Sequence, residues 1–335
     1  MRHRTPPTHR VHAVLLTLLL AGASSMLASA SAHANDIRFP TRPVRVIVGN
    51  TAGSGADIAA RIVARALTEA WKEPVVVDNR GGVGGLLAAE IVAKAEPDGQ
   101  TLMLAQEGAI IIAPAIQRSP GVDPQKALVP VVNLADTDYV LIASAKSGIR
   151  SVDDLRVLAL KQPGQRTFAS AGVGSVHHLG FEQLNQLLGI SMVHVPFKGG
   201  PPGAAEVAAG NVDAMFVSPA AAMGFATAGR VSAIATGGVK RNPQFAAAPA
   251  IGETYKGFRV VSWFALFAPA NTPSRVLEKI ARDATEVVRS ADIRAQLAAQ
   301  GINAVGGTPK QMADLVRSDM RTYGDTIKRL KITAE

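Results

Sequence analysis

The chain has 335 residues, 47% of them hydrophobic and only 4% aromatic, with a formal net charge of +9 and no cysteine. That length accommodates two domains, and the lack of cysteine excludes disulfides, thiolate metal sites and a lipid-modified N-terminal cysteine. Lys and Arg are scattered rather than blocked, which suits a solvated surface that attracts anionic solutes and argues against a nucleic-acid partner.

The N-terminal MRHRTPPTHR is basic and free of acids, and the apolar VHAVLLTLLLAGA follows. This run is short for a membrane span. Ala32-His33-Ala34 fits the small-x-small cleavage pattern, so 1–34 reads as a secretory signal peptide cut after Ala34. Loss of Arg2, Arg4 and Arg10 takes the charge from +9 down by three. No later segment has the length of apolar sequence a span needs, and an exported chain without an anchor points to the periplasm.

PVRVIVGN (43–50) alternates as a strand, and Asp57 is expected to cap an amphipathic helix with Ile58, Ile62, Ala66 and Leu67 on one face. PVVVDN (74–79) is a second strand with GGVGG (81–85) as its exit turn, LLAAEIVAKAE a helix, and TLMLAQ a third strand. The βαβαβ order predicts a parallel sheet with helices on its faces. ALVPVVNLADTDYVLIASAKS (127–147) is too long for one strand and predicts two, joined by a crossover between lobes.

FASAGVGSVHHLGFEQLNQLLGISMVHVPFKGG reads as strand, glycine turn, helix, strand and a second glycine turn. That order puts two loops at the carboxyl ends of parallel strands, where open α/β sheets bind ligands. GNVDAMFVS and RVSAIATG add strands, and GFRVVSWFALFAPAN (257–271) carries the chain back. Thr272-Pro273 and Thr308-Pro309 are read as helix starts. The expected organisation is lobe one at 35–137 plus 252–335, lobe two at 138–251, and a ligand cleft between them.

The ordered pieces FPTRPVRVIV, AGSGADIAARIVARAL, WKEPVVVDNRGGVGG, AKAEPDGQTLML, FASAGVGSVHHL, VHVPFKGG, GNVDAMF, VSWFALFAPANTP and GINAVGGTP span 38–310. In them the chain resembles the Bug-type, or TctC-type, extracytoplasmic receptors of tripartite tricarboxylate transporters. The resemblance implies an α/β, two-lobed periplasmic binding protein (type II-like), monomeric, that closes on a small carboxylate and delivers it to a two-component membrane permease. It further implies that loops of both lobes grip the carboxylate through backbone N–H groups, hydroxyls and waters. The sequence departs from the family pattern at Gly49-Asn50-Thr51, Gln106-Glu107, Phe197 and Val217-Ser218, where ligand identity is set.

The candidate ligand contacts are Asn50, Thr51, Ala52, Gly53, Ser54 and Gly55 on the first loop, and Ser170, Gly172, Gly174, Ser175 and His178 on the second, with Lys198, Gly199 and Ser218. Glycines allow close approach of a ligand, and helix starts offer N–H groups to an anion. Glu107 joins the set either as a partner for a ligand amine, which favours an amino acid or another nitrogenous or aromatic solute, or as a bystander. His177 and the GGVGG turn are read as structural. No cofactor and no metal are expected. GVGSV is not the G-x-S-x-G elbow of hydrolases, so a hydrolase is disfavoured, while a sensor presenting ligand to a signalling partner stays open.

Overall fold

The computed structural model describes residues 38–117 and 121–333; the signal-peptide reading lies outside them. The strands are β1 (Val44–Val48), β2 (Val75–Asn79), β3 (Thr101–Ala105), β4 (Leu128–Asp138), β5 (Val140–Ser144), β6 (Thr167–Ser170), β7 (Val193–Pro196), β8 (Ala214–Val217), β9 (Val231–Thr236), β10 (Val261–Pro269) and β11 (Asn303–Ala304). They form two sheets, β11-β4-β10-β3-β1-β2 and β7-β6-β8-β5-β9. In the first, β1 runs parallel to β2 and β3, and β10 lies antiparallel between β3 and β4. In the second, β6 is parallel to β7 and β8, and β5 lies antiparallel between β8 and β9. Both sheets are thus mixed: β10 and the short edge strand β11 run against the rest of the first, β5 runs against the rest of the second, and both carry helices. The central strands are buried on both faces, as sheets covered by helices require: all of β5 and β8, and four residues of β1, are out of water.

The principal helices are α1 (Gly55–Trp71), α2 (Leu86–Ala93), α3 (Val152–Lys161), α4 (Val176–Leu188), α5 (Gly200–Ala209), α6 (Pro219–Thr227), α7 (Ser274–Arg289), α8 (Ala291–Ala299) and α9 (Pro309–Leu330). Three local readings are corrected. Ser54, not Asp57, caps α1: Ser54 Oγ accepts from Asp57 N at 3.2 Å, and Asp57 Oδ2 accepts from Gly53 N at 2.9 Å. The face of α1 against the sheet is Ala59, Ala60, Val63, Ala64 and Leu67, with Ile58 and Ile62 only half-buried; small alanines let the helix approach closely, and the bulkier isoleucines flank the contact. Helix α7 starts one residue late, after Pro273, because the Thr272 hydroxyl donates to Pro269 O at 2.7 Å instead of capping. Thr308 does cap α9, in a reciprocal box with Gln311.

The two sheets are joined where a single residue, Tyr139, separates β4 from β5. Its backbone enters a closed ring of hydrogen bonds: Tyr139 N donates to Val260 O (3.0 Å), Val260 N to Gly237 O (2.8 Å), and Gly237 N to Tyr139 O (2.7 Å). Val260 leads into β10, the returning strand, and Gly237 follows β9. One core beneath the second sheet is built on Phe168, Phe181, Leu184, Phe216 and Phe258, and it also takes Ile112 and Ile116 from the segment after β3 and Ile327 from α9. Elements of both lobes therefore share apolar packing. From Phe39 onward the described chain forms one compact unit.

A Cβ on Gly237 would stand 2.7 Å from Val260 O and 2.9 Å from Val260 Cβ. Backbone cannot yield there without opening the ring. Gly237→Ala is expected to destabilise the protein by about 1–3 kcal/mol, read as a lowered urea midpoint with an unchanged slope.

Candidate functional site

The cleft has a volume of about 300 Å³ and is lined from both halves of the molecule. From the first come Gly49, Asn50 and Thr51 after β1, Gly81, Gly82, Gly84 and Gly85 after β2, and Gln106, Gly108 and Ala109 after β3. From the second come Ala171, Gly172, Val173 and Ser175 between β6 and α4, Val176 and His177 in the first turn of α4, and Phe197, Lys198 and Gly199 after β7. All of these loops leave the carboxyl ends of parallel strands, the position at which an α/β sheet leaves backbone N–H groups for a ligand. At Gly199 the two halves come into close contact: its φ is +126°, and a Cβ there would run into the Thr51 hydroxyl and stand 2.8 Å from Thr51 Cγ2.

A second, much smaller compartment of about 30 Å³ lies beside the first. The starts of three helices border it: Gly53, Ser54, Gly55 and Ala56 at α1, Gly200 and Pro201 at α5, and Ser218 and Ala221 at α6. Ser218 Oγ accepts from Ala221 N at 3.5 Å as the α6 cap. Asn50, Gln106, Tyr139 and His177 line both compartments and so form the partition between them. Lys198, at the exposed rim, is the one formally charged residue lining either space among the described residues.

His177 is 7% exposed, its ring centroid is 4.6 Å from that of Tyr139, and its Nδ1 has no partner. Burial pulls its pKa down to about 4, so the ring is neutral and an uncharged hydrogen-bonding group at neutral pH. Burial also raises the Tyr139 phenol above its usual range. The partition is therefore polar but uncharged.

Ala52, Glu107, Ser170, Gly174 and His178 do not line either compartment. Ala52 is exposed outside the cleft. Ser170 is fully buried; its Oγ shares a 2.6 Å hydrogen bond with His194 Nε2 and accepts from Gly172 N at 3.0 Å. Gly174 has φ +78°, and a Cβ there would stand 2.8 Å from Ile116 Cδ1, so it serves close packing. His178 stacks on His194 at 4.0 Å, and that ring stacks on Phe168 at 4.9 Å. Burial, then the neighbouring His194, lowers the His178 pKa to about 3, and burial lowers that of His194 to about 4. Ser175 does both jobs: it lines the cleft, and its Oγ donates to Gly172 O at 2.7 Å and accepts from His178 N at 3.3 Å.

Glu107 is 1% exposed. Ser262 Oγ donates to its Oε2 at 2.6 Å, and Trp263 N donates to its Oε1 at 2.8 Å. Burial raises its pKa to about 8 despite those two donors. Among the described residues no group of three or more His, Cys, Asp or Glu could hold a metal ion, and no helix is long and apolar enough to cross a membrane.

Residues 46–332 match the model of the tripartite tricarboxylate transporter family receptor. The chain belongs to that family. A relative from Pseudomonas sp. strain P51, described as a UPF0065 protein in the tcbD-tcbE intergenic region, is 33% identical over 319 residues, covering 94% of this chain and 95% of its own. Among solved structures, Rpa4515 of R. palustris with adipate is 28% identical with a TM-score of 0.85, covering 88% of this chain and 99% of its own. MatC of Rhodopseudomonas palustris with bound malate is 28% identical with a TM-score of 0.81, covering 86% and 100%. The two-lobed α/β fold is shared with these structures and with that of the periplasmic binding protein BugD, 27% identical with a TM-score of 0.83, covering 89% of this chain and 100% of its own.

Within this receptor fold, sequence reasoning missed Tyr139, Gln106 and His177 as cleft residues, and it read the glycines at 81–85 as architecture, whereas four of them line the cleft. Tyr139 carried a usable signal: it is one of three tyrosines and sits in the crossover the sequence did reveal.

The buried neutral histidines make stability depend on pH. Their folded pKa values lie below the usual value of 6.5, so below about pH 6.5 the unfolded chain binds more protons and stability falls as pH falls. Glu107, with its raised pKa, acts in the opposite sense between about pH 4.5 and 8. His178→Phe removes one histidine and leaves Glu107 in place. Its unfolding free energy is expected to fall less steeply than the wild type's between about pH 6 and pH 4, by about 1 kcal/mol per pH unit, measured by denaturant titration at each pH.

Proposed function

We propose that this chain is a periplasmic receptor that captures a small organic carboxylate by closing its two lobes, 35–137 plus 252–335 and 138–251, and passes it to a two-component membrane permease. The observation that carries the reading is the cleft itself: glycine-rich loops at the carboxyl ends of strands from both sheets face each other across about 300 Å³, with Lys198 at the rim. Backbone N–H groups at loop and helix starts favour an anion. The adipate and malate in two structural relatives support the same ligand class. The grip falls to Asn50, Thr51, Gly172, Ser175, Lys198 and Gly199, with Gly53, Ser54, Gly55 and Ser218 around the smaller compartment and His177, Tyr139 and Gln106 between.

A thermal-shift panel on residues 35–335, holding dicarboxylates, citrate, aromatic acids and amino acids, tests the reading, because binding to the native state alone raises the melting temperature. Stabilisation by at least one carboxylate is expected, and His177→Ala is expected to weaken that ligand about ten-fold by calorimetry. A panel in which only neutral or cationic solutes stabilise the protein would overturn the carboxylate assignment.

A further inference from the structure

Gln106 and Glu107 are consecutive at the exit of β3 and face different surroundings. Gln106 lines both compartments, while Glu107 is buried beneath them. Both reach Ser262 at the start of β10: Gln106 Nε2 donates to Ser262 Oγ at 2.8 Å, and Ser262 Oγ donates to Glu107 Oε2 at 2.6 Å. Gln106 Nε2 also donates to the Tyr139 hydroxyl at 3.1 Å. Both amide protons are thereby used on protein acceptors, and among the described residues no protein donor meets Gln106 Oε1.

The direction of this chain is set at its buried end. A serine hydroxyl has one proton, an ionised carboxylate only accepts, and a carboxamide has one donor end and one acceptor end. With Glu107 ionised, Ser262 gives its proton to the carboxylate and must receive one from Gln106. The amide then points inward, and Oε1 is left for the cleft. With Glu107 protonated, its O–H can be given to Ser262. The Ser262 proton then goes to Gln106, at 2.8 Å, rather than to the Trp263 carbonyl, at 3.5 Å. That requires Oε1 inward and the NH₂ toward the cleft.

We propose that Glu107 is a positioning residue that sets, through Ser262, which end of the Gln106 carboxamide faces the ligand, and so whether the cleft selects a carboxylate carrying a hydrogen-bond donor at that point or one carrying only acceptors. This rests on the carboxylate reading above. The groups around the relay are Tyr139 and Tyr323, Asp319, which accepts from Trp263 Nε1 at 2.9 Å, Arg259, whose charge acts on Asp319 and Tyr323, and the neutral His177 against Tyr139. Asp319 and burial both oppose ionisation of Glu107, whose pKa of about 8 brings both states within reach near neutrality. Above that value the cleft shows an oxygen, and below it an NH₂.

Calorimetric titrations with the matched pairs 2-oxoglutarate and 2-hydroxyglutarate, and 2-oxoadipate and 2-hydroxyadipate, at about pH 7 and about pH 9.5 test this. Each pair sets a carbonyl, which only accepts, against a hydroxyl, which can also donate, at the same carbon. In the wild type the preference for the hydroxy acid is expected to rise about ten-fold with pH, the worth of one hydrogen bond. Glu107→Gln accepts from Trp263 N and donates to Ser262, copying the protonated carboxyl, and should hold the low-pH preference at both pH values. Ser262→Ala breaks the link and should also give a preference independent of pH. A wild-type preference that does not change with pH, or a Glu107→Gln protein that follows pH as the wild type does, overturns the inference and leaves the carboxylate reading standing. If the wild type binds none of the four acids and no other carboxylate of the panel above, the carboxylate reading falls, and the inference with it.

Discussion

Three peptide groups, those of Tyr139, Gly237 and Val260, close on one another in a ring of backbone hydrogen bonds, and the two sheets meet at that ring. Each group gives one N–H and takes one C=O, so none is left unsatisfied in a buried place, where an orphan would cost about 1–3 kcal/mol. The ring gathers the strand that leaves the first sheet, the strand that returns to it, and the segment following β9. In the proposed closure, rotation of one half against the other pivots on these segments. Tyr139 is also a wall of the cleft. The residue whose backbone ties the halves together thus presents its side chain to the ligand space, which joins hinge and site without any intervening pathway.

The electrostatics of the cleft follow from what the fold excludes. Among the described residues its lining contains no arginine or carboxylate, and its one charged side chain, Lys198, stands at an exposed rim, where solvent screens it. The histidine that does line it is kept neutral by burial. Attraction for an anion must then come from the N–H groups of loops and helix starts. Fixed dipoles in a partly dry space act more strongly than they would in water and need no counter-charge. In the proposed grip, the glycines concentrated there leave the backbone itself as the binding group.

Much of this was legible in the sequence. The βαβ units announced themselves by apolar runs separated by glycine turns, and the overlong segment at 127–147 gave away the crossover. The loops at 50–55 and 170–175 and the turn at 198–199 were marked from strand-turn-helix order together with the family resemblance. The errors arose at single-residue resolution. Ser54 and Asp57 both suit a helix start, and only geometry shows that Ser54 is the cap while Asp57 reaches back to Gly53. The isoleucines of α1 outweigh its alanines in any hydrophobic pattern, yet the alanines are what the sheet accepts.

The same limit decides the functional residues, because the chain offers its polar groups in adjacent pairs. One step along a helix turns a side chain by about 100°. His177 therefore meets Tyr139 and the cleft, while His178 turns into the stack with His194 and Phe168. After β3, Gln106 faces the ligand space and Glu107 the interior. In each pair the sequence-based choice fell on the neighbour that packs inward. Glu107 drew attention for its charge, but an unpaired charge is what burial most strongly penalises, and its two donors hold it out of the cleft. Its effect on a ligand passes through Gln106, whose uncharged amide carries no such signal in the sequence. A strand end and a helix start can be placed from pattern. The phase at which each delivers a side chain depends on packing against Val260, Phe168 and the returning strand, contacts made by residues far away in the chain.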